Sequence, residues 1–418
     1  MVTLHAKRPR AATARSGFAV RRAVLSSVLL AFSAAAFLGT SGCCGIINAG
    51  TSSPAEATSS VDTTAVSQLP SLPVTPLPLA DKVLPPKAGA YLGVYTPPAP
   101  FTIERVKQFE ESVGRDVAIV MWYQPWASTN RSRFDAAACL AIMRSGKVPL
   151  ITWEPWDPGS DANLLKNPSK QPEYRLKAIV DGEYDAYLRQ WATDIRTLGG
   201  PVMLRPMHEM NGNWYPWAGT ANGNSPEQFV AAWRHIHDIF EEEGATNVTW
   251  VWSINHESVP ADKKNAYAAY YPGDEYVDWT SISGFNWGTT SSYSSWRPFL
   301  HWYTKPLAYL ETLDKPICVS EFGSVEQGGS KAEWIEDAYG RIKGISRVRA
   351  VVYYDSIEKS TSSTQDWRVG SSPTSLAAFR KAVASTYFVS EAPEALTEWA
   401  TSLDEDDWRY LVSLTPIY

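Results

Sequence analysis

Apolar residues follow two rhythms along this chain. Short runs, apolar at nearly every position, are of strand length: 91–95, 117–123, 148–153, 202–209, 248–255, 279–286, 317–322 and 350–355. Strands covered on both faces of a parallel sheet read this way, without the polar alternation of a half-exposed sheet. Between most of them apolar residues recur at helical spacing, over 103–113, 133–145, 184–198, 226–243 and 298–312. Eight strands in about 265 residues predict the α/β class and, within it, a (β/α)8 TIM barrel. The competing arrangement is a doubly wound open sheet. Against it, no strand is followed by a glycine-rich dinucleotide loop.

The predicted strand ends hold the chain's unusual residues. They include Tyr95; Trp122, Tyr123, Gln124 and Trp126; Trp153, Glu154 and Trp156; His208 and Glu209; Asn255 and His256; Asn286 and Trp287; Glu321; and Tyr354 with Asp355. In a barrel these ends converge on one mouth, where active sites are built. The densest stretch, 201–217, reads PVMLRPMHEMNGNWYPW. An apolar strand runs there into Glu209, flanked by His208 and Asn211, and then a glycine turn carries Trp214, Tyr215 and Trp217. Flat rings stack on the apolar faces of pyranoses, and a carboxyl in a partly dry pocket keeps its proton near neutral pH. A second carboxylate, Glu321, closes the seventh strand in ICVSEFG. Alternation along a strand groups Ile317, Val319 and Glu321 on one face, and Met203, Arg205, Met207 and Glu209 on another. Both carboxylates are thereby expected in the mouth, with Arg205 placed to pair with one of them. The alternative for the two glutamates is a structural ion pair. The alternatives for the rest are a satisfied core histidine for His208, a loop brace for Asn211 and Glu154, and core packing for Trp122, Trp153, Trp214, Trp217 and Trp287.

RPMHEMNGNWYPW followed by VSEFG resembles glycoside hydrolase family 26, over roughly residues 91–379. The resemblance implies a retaining hydrolase with Glu209 as acid/base and Glu321 as nucleophile. His208 matches the histidine before the acid, and Trp214 lies in the aromatic stretch after it. Best known in that family are endo-β-1,4-mannanases; other members cut mixed-linkage β-glucan or β-1,3-xylan. Mannan is therefore the first substrate expected, with mixed-linkage β-1,3-1,4-glucan close behind. A sugar-binding surface protein without catalysis is the reading from a different class. Substrate contacts are expected from His208, Asn211, Trp214, Trp217, Trp287, Trp122, Trp153 and Glu154. No cofactor and no metal are expected: His235 and His237 stand two apart on a helix and face different sides.

Composition adds the setting. The first 42 residues hold six basic and no acidic residues, then an apolar run over 23–38 and small residues before Cys43. That order reads as an export signal over 1–43, with an uncleaved membrane anchor as the alternative. Thr-Ser-Gly-Cys resembles a lipoprotein cleavage site, which makes a lipidated Cys43 a candidate membrane attachment and the cell surface or exterior the expected location. Loss of the leader takes the formal charge from −6 to −12, and so acidic a chain repels nucleic acid. Residues 44–86, rich in Ser, Thr and Pro, read as a disordered tether. The catalytic domain is expected over 87–385, and 386–418 as an extension with a helix packed on the barrel. Four cysteines, two of them in the export region, give no disulfide framework. A monomer acting on a β-linked polysaccharide is the expected assembly.

Overall fold

The computed structural model describes residues 76–127, 132–159, 167–292, 294–359 and 363–413. The export signal, Cys43 and most of the expected tether lie outside the described residues. Eight parallel strands close into a barrel: β1 (Ala90–Tyr95), β2 (Ile119–Pro125), β3 (Val148–Glu154), β4 (Val202–Pro206), β5 (Val248–Asn255), β6 (Trp279–Asn286), β7 (Ile317–Ser324) and β8 (Val348–Tyr354). Each pairs with the next, and β8 pairs back to β1 through Tyr91–Ala350 to Tyr95–Tyr354. This is the (β/α)8 barrel that the apolar runs predict.

The outer layer is formed by α1 (Ile103–Val113), α2 (Ala136–Arg144), α3 (Leu176–Val180), α4 (Asp185–Leu198), α5 (Pro226–Glu242), α6 (Phe299–Leu310), α7 (Lys331–Ile342) and α8 (Pro373–Val383). Local sequence explains their limits. Ser225 caps α5 in a reciprocal capping box with Gln228, and Pro226 occupies the first turn, where its missing N–H costs nothing. The helix then buries Phe229, Ala232, Trp233, Ile236 and Phe240 along one stripe. Between β5 and β6 the chain makes three short 3-10 turns instead of an α-helix.

Two strands depart from simple alternation, and both departures shape the mouth. β4 stops at Pro206, and beyond it Met207 and Glu209 adopt left-handed φ values of 50° and 55°. The expected strand over 202–209 is thus three residues too long, and Glu209 reaches its place through a turn. In β7 the register with β6 steps from Ile282–Val319 to Ser283–Glu321, leaving Ser320 as an inserted residue. Such a bulge puts consecutive residues on the same face. Ser320 and Glu321 therefore both face the interior, whereas Val319 shares the outer face with Ile282. The expected grouping of Val319 with Glu321 is corrected, although Glu321 still points inward.

The opposite end of the barrel is plugged. Val83 donates its N–H to Thr249 Oγ1 (2.7 Å), and its carbonyl accepts from Trp279 Nε1 (2.8 Å). Leu77, Ala80 and Val83 are buried. Residues 76–86 are thus part of the packed domain, which corrects the tether boundary at 86. At the far terminus, α9 (Glu394–Ser402) and α10 (Glu405–Ser413) bury Leu396, Trp399 and Leu411, and Trp399 lies against Gly199 and Gly200.

Candidate active site

Arg205 organises the mouth from below. It projects inward from β4 and is fully buried. Its guanidinium donates to Thr152 Oγ1 on β3 (2.6 and 2.9 Å), Ser320 Oγ on β7 (2.6 Å) and Ser253 Oγ on β5 (3.3 Å). The remaining N–H reaches Glu321 Oε1 in a direct ion pair. A buried guanidinium is tolerable only with its donors met this fully, and breaking such a pair costs about 3–5 kcal/mol. The other oxygen of Glu321 accepts from Tyr123 Oη at 2.5 Å. Glu321 is thus fixed through both oxygens.

Glu209 is held differently. The turn after β4 is pinned where its backbone N–H bonds the Ser253 carbonyl (2.9 Å). Its Oε2 accepts from Trp214 Nε1 at 2.9 Å. The indole folds back over Gly212, where any Cβ would meet the ring at 2.5 Å. Burial, with the nearby Glu321 charge next in size, pushes the Glu209 carboxyl up to about 8. The Trp214 N–H pulls the other way. Two carboxyls of unequal character therefore share one mouth: one locked into an ion pair, the other retaining its proton at neutral pH.

His208 stands between them. It is buried, with Nε2 3.9 Å from Glu321 Oε1 and Nδ1 3.9 Å from Glu154 Oε1. Burial and the Arg205 charge hold the imidazole well below its usual value, so it is neutral. Glu154 ends β3 facing inward, accepts from Trp156 Nε1 at 3.2 Å, and is pushed up to about 8 chiefly by burial. The mouth carries rings as well. Trp214 and Trp287 are only partly buried, and Trp287 packs edge-on against Trp367 at 5.1 Å. Glu358, on the hairpin β9 (Ile357–Lys359) and β10 (Thr364–Asp366), accepts from Tyr354 Oη at 2.7 Å.

Four expected substrate contacts lie elsewhere. Trp122 pairs with Ile151 on the outer face of the barrel and is buried there. Trp153 also faces outward, packed on Trp191 of α4 at 4.5 Å and Phe240 of α5 at 5.9 Å. Trp217 has no exposed surface; it stacks on Tyr215 at 4.3 Å and donates to the His208 carbonyl at 2.7 Å. Asn211 spends both ends of its amide on backbone, accepting from Asn255 N (2.8 Å) and donating to Asn255 O (3.0 Å). It braces the turn. The neighbouring residue that matters in WYQPW is Tyr123, missing from the expected contacts. It shares the inner face with Met121, whose sulfur touches Arg205.

The chain matches the profile of glycosyl hydrolase family 26 over residues 144–303. It spans about a third to half of the length of the curated relatives it matches. It is 40% identical over 301 residues to Endoglucanase H of Acetivibrio thermocellus, a match covering 71% of this chain and 30% of that protein. It is 25% identical over 203 residues to a mannan endo-1,4-beta-mannosidase of Bacillus subtilis, covering 46% of this chain and 51% of that protein. Among solved structures, the catalytic domain of an endo-beta-1,4-mannanase from Bacillus sp. JAMB-750 superposes with a TM-score of 0.55 at 19% identity. That likeness covers 74% of this chain and 89% of the other, and speaks for the barrel alone.

Proposed function

We propose that the chain is an exported endo-acting β-glycanase that works by retaining double displacement. The carrying observation is the inequality of the two carboxyls, Glu321 tied to Arg205 and Tyr123 and Glu209 pushed up to about 8. In the first step a Glu321 oxygen bonds the anomeric carbon as the glycosidic C–O bond breaks. Glu209 gives its proton to the departing oxygen. In the second step water attacks the same carbon, Glu209 takes the water's proton, and the ester electrons return to Glu321. Esterification removes the Glu321 charge, which is one of the two main causes keeping Glu209 protonated. The acid of step one thereby becomes a competent base in step two.

Two substrate readings each rest on an observation. The 40% identity to Endoglucanase H over 71% of this chain favours a gluco-configured β-linked backbone, mixed-linkage β-glucan first. The 25% identity to the Bacillus subtilis mannan endo-1,4-beta-mannosidase supports mannan. The two sugars differ by one axial hydroxyl at C2, which stacking on Trp214 and Trp287 does not read. Barley β-glucan, galactomannan and glucomannan offered to purified protein, with reducing ends counted and products sized, test both. Internal cleavage of barley glucan at the highest rate is expected, and no new reducing ends on any of the three would overturn the hydrolase reading. The N-terminal basic and apolar run supports export, and Cys43 supports attachment at the cell surface.

A further inference from the structure

His208 is flanked on its two nitrogens by two different carboxyls, and the arrangement distinguishes them. Nε2 faces Glu321 Oε1, and Nδ1 faces Glu154 Oε1, each at 3.9 Å. Both His208 and Glu154 are more than nine-tenths buried, and His208 Nδ1 and Glu154 Oε1 have no hydrogen-bond partner in the described structure. At that separation the contact is not a direct hydrogen bond. A small side-chain rotation or one bridging water closes it. The other Glu154 oxygen is already engaged, accepting from Trp156 Nε1. Oε1 is therefore the oxygen left to carry a proton.

We propose that Glu154 is a positioning residue: as a neutral acid it donates toward His208 Nδ1, so that the imidazole proton resides on Nε2 and is aimed at Glu321. A neutral imidazole has one proton and one lone pair, and the partner of one nitrogen decides which end bears which. With a donor at Nδ1, the N–H faces the Glu321 oxygen and supports its negative charge. With Glu154 ionised, the proton is drawn to Nδ1 and a lone pair is turned on Glu321. The groups facing this pair are Arg205, Glu321 and Glu209, with Tyr95, Tyr123 and Tyr215 around them. Arg205 is the cation among them, and it is bound to Glu321. Ionised Glu154 would lack such a counter-charge, which makes it the stronger attractor for the imidazole proton. This inference refines the retaining mechanism proposed above, but its first readout needs no turnover.

The test is nitrogen-15 NMR of the histidine rings across pH 6 to 10, with His208→Gln used to assign the signal. At pH 6 the His208 proton is expected on Nε2, and as pH passes about 8, where Glu154 titrates, Nδ1 gains it. Glu154→Gln, whose amide donates at every pH, is expected to keep the Nε2–H form throughout and to remove one proton from the alkaline limb of kcat. Glu154→Val is expected to lose the tautomer preference and to lower kcat by up to about 100-fold, with KM little changed. A wild-type proton on Nδ1 at pH 6 would overturn the proposal. So would a Glu154→Gln protein whose tautomer and alkaline limb follow wild type. Should Glu154→Val fail to fold, wild type and Glu154→Gln decide the matter. Should the protein prove to hydrolyse nothing, the tautomer result still stands or falls alone.

Discussion

At the scale of single residues, environment makes two glutamates unlike. Chemically they are the same side chain. A guanidinium and a phenol hold Glu321. Burial beside that charge raises Glu209, and one indole N–H restrains the rise. Removing the restraint should move the acid further up. Trp214→Phe is therefore expected to shift the alkaline limb of kcat/KM to higher pH, even as the rate itself falls. A limb that stays put or moves to lower pH would show that the indole does not act on Glu209. The place of both glutamates in the mouth was legible in the sequence, because Glu321 lies in a strand-end motif and Glu209 in the turn just beyond one. Tyr123 was not, because an aromatic in WYQPW gives no hint of which way it points until strand register is known.

At the scale of elements, the barrel was legible and its exceptions were not. Apolar runs of strand length announce buried parallel strands, and all eight lie where those runs fall. Nothing in ICVSEFG marks Ser320 as an inserted residue, since a bulge is fixed by the neighbouring strand. Likewise RPMHEM reads as continuous strand, although it turns at Met207 under the demands of the mouth. Tryptophan was the misleading residue. A ring at a strand end suits a sugar or a helix equally, and alternation assigns Trp122 and Trp153 to the helix side only once Thr152 is known to face Arg205. The consequence can be measured. Trp153→Ala should cost about 3–5 kcal/mol of stability, as large-to-small changes in a core do, with KM on polysaccharide nearly unchanged. A stable variant with a strongly raised KM would return Trp153 to the substrate site.

At the scale of the whole molecule, the two barrel ends do different work. One end is closed by residues 76–86, while the other concentrates buried ionisable groups at the mouth. That concentration should make stability depend on pH. Glu209 and Glu154 keep protons in the fold up to about 8, whereas unfolded glutamates release them near 4.3. Over that interval the folded chain binds more protons, so this stability is complete below about 4.3 and is lost as pH rises through about 8. His256, pushed down to about 4 by burial, acts in the opposite sense but is finished by its unfolded value of about 6.5. Lys331, lowered to about 8 by burial, acts only above that. Thermal unfolding midpoints should therefore fall between pH 6.5 and 8, and Glu154→Gln should flatten the fall; a flat wild-type profile would argue against buried protonated glutamates. In the proposed reaction Glu321 attacks the sugar while Glu209 manages the proton. The most direct test is peptide mass mapping after incubation with a 2-deoxy-2-fluoro glycoside of the preferred sugar, bearing a good leaving group. A glycosyl ester on Glu321 is predicted. A label on Glu209 instead, or turnover to a product of inverted anomeric configuration with no label at all, would contradict it.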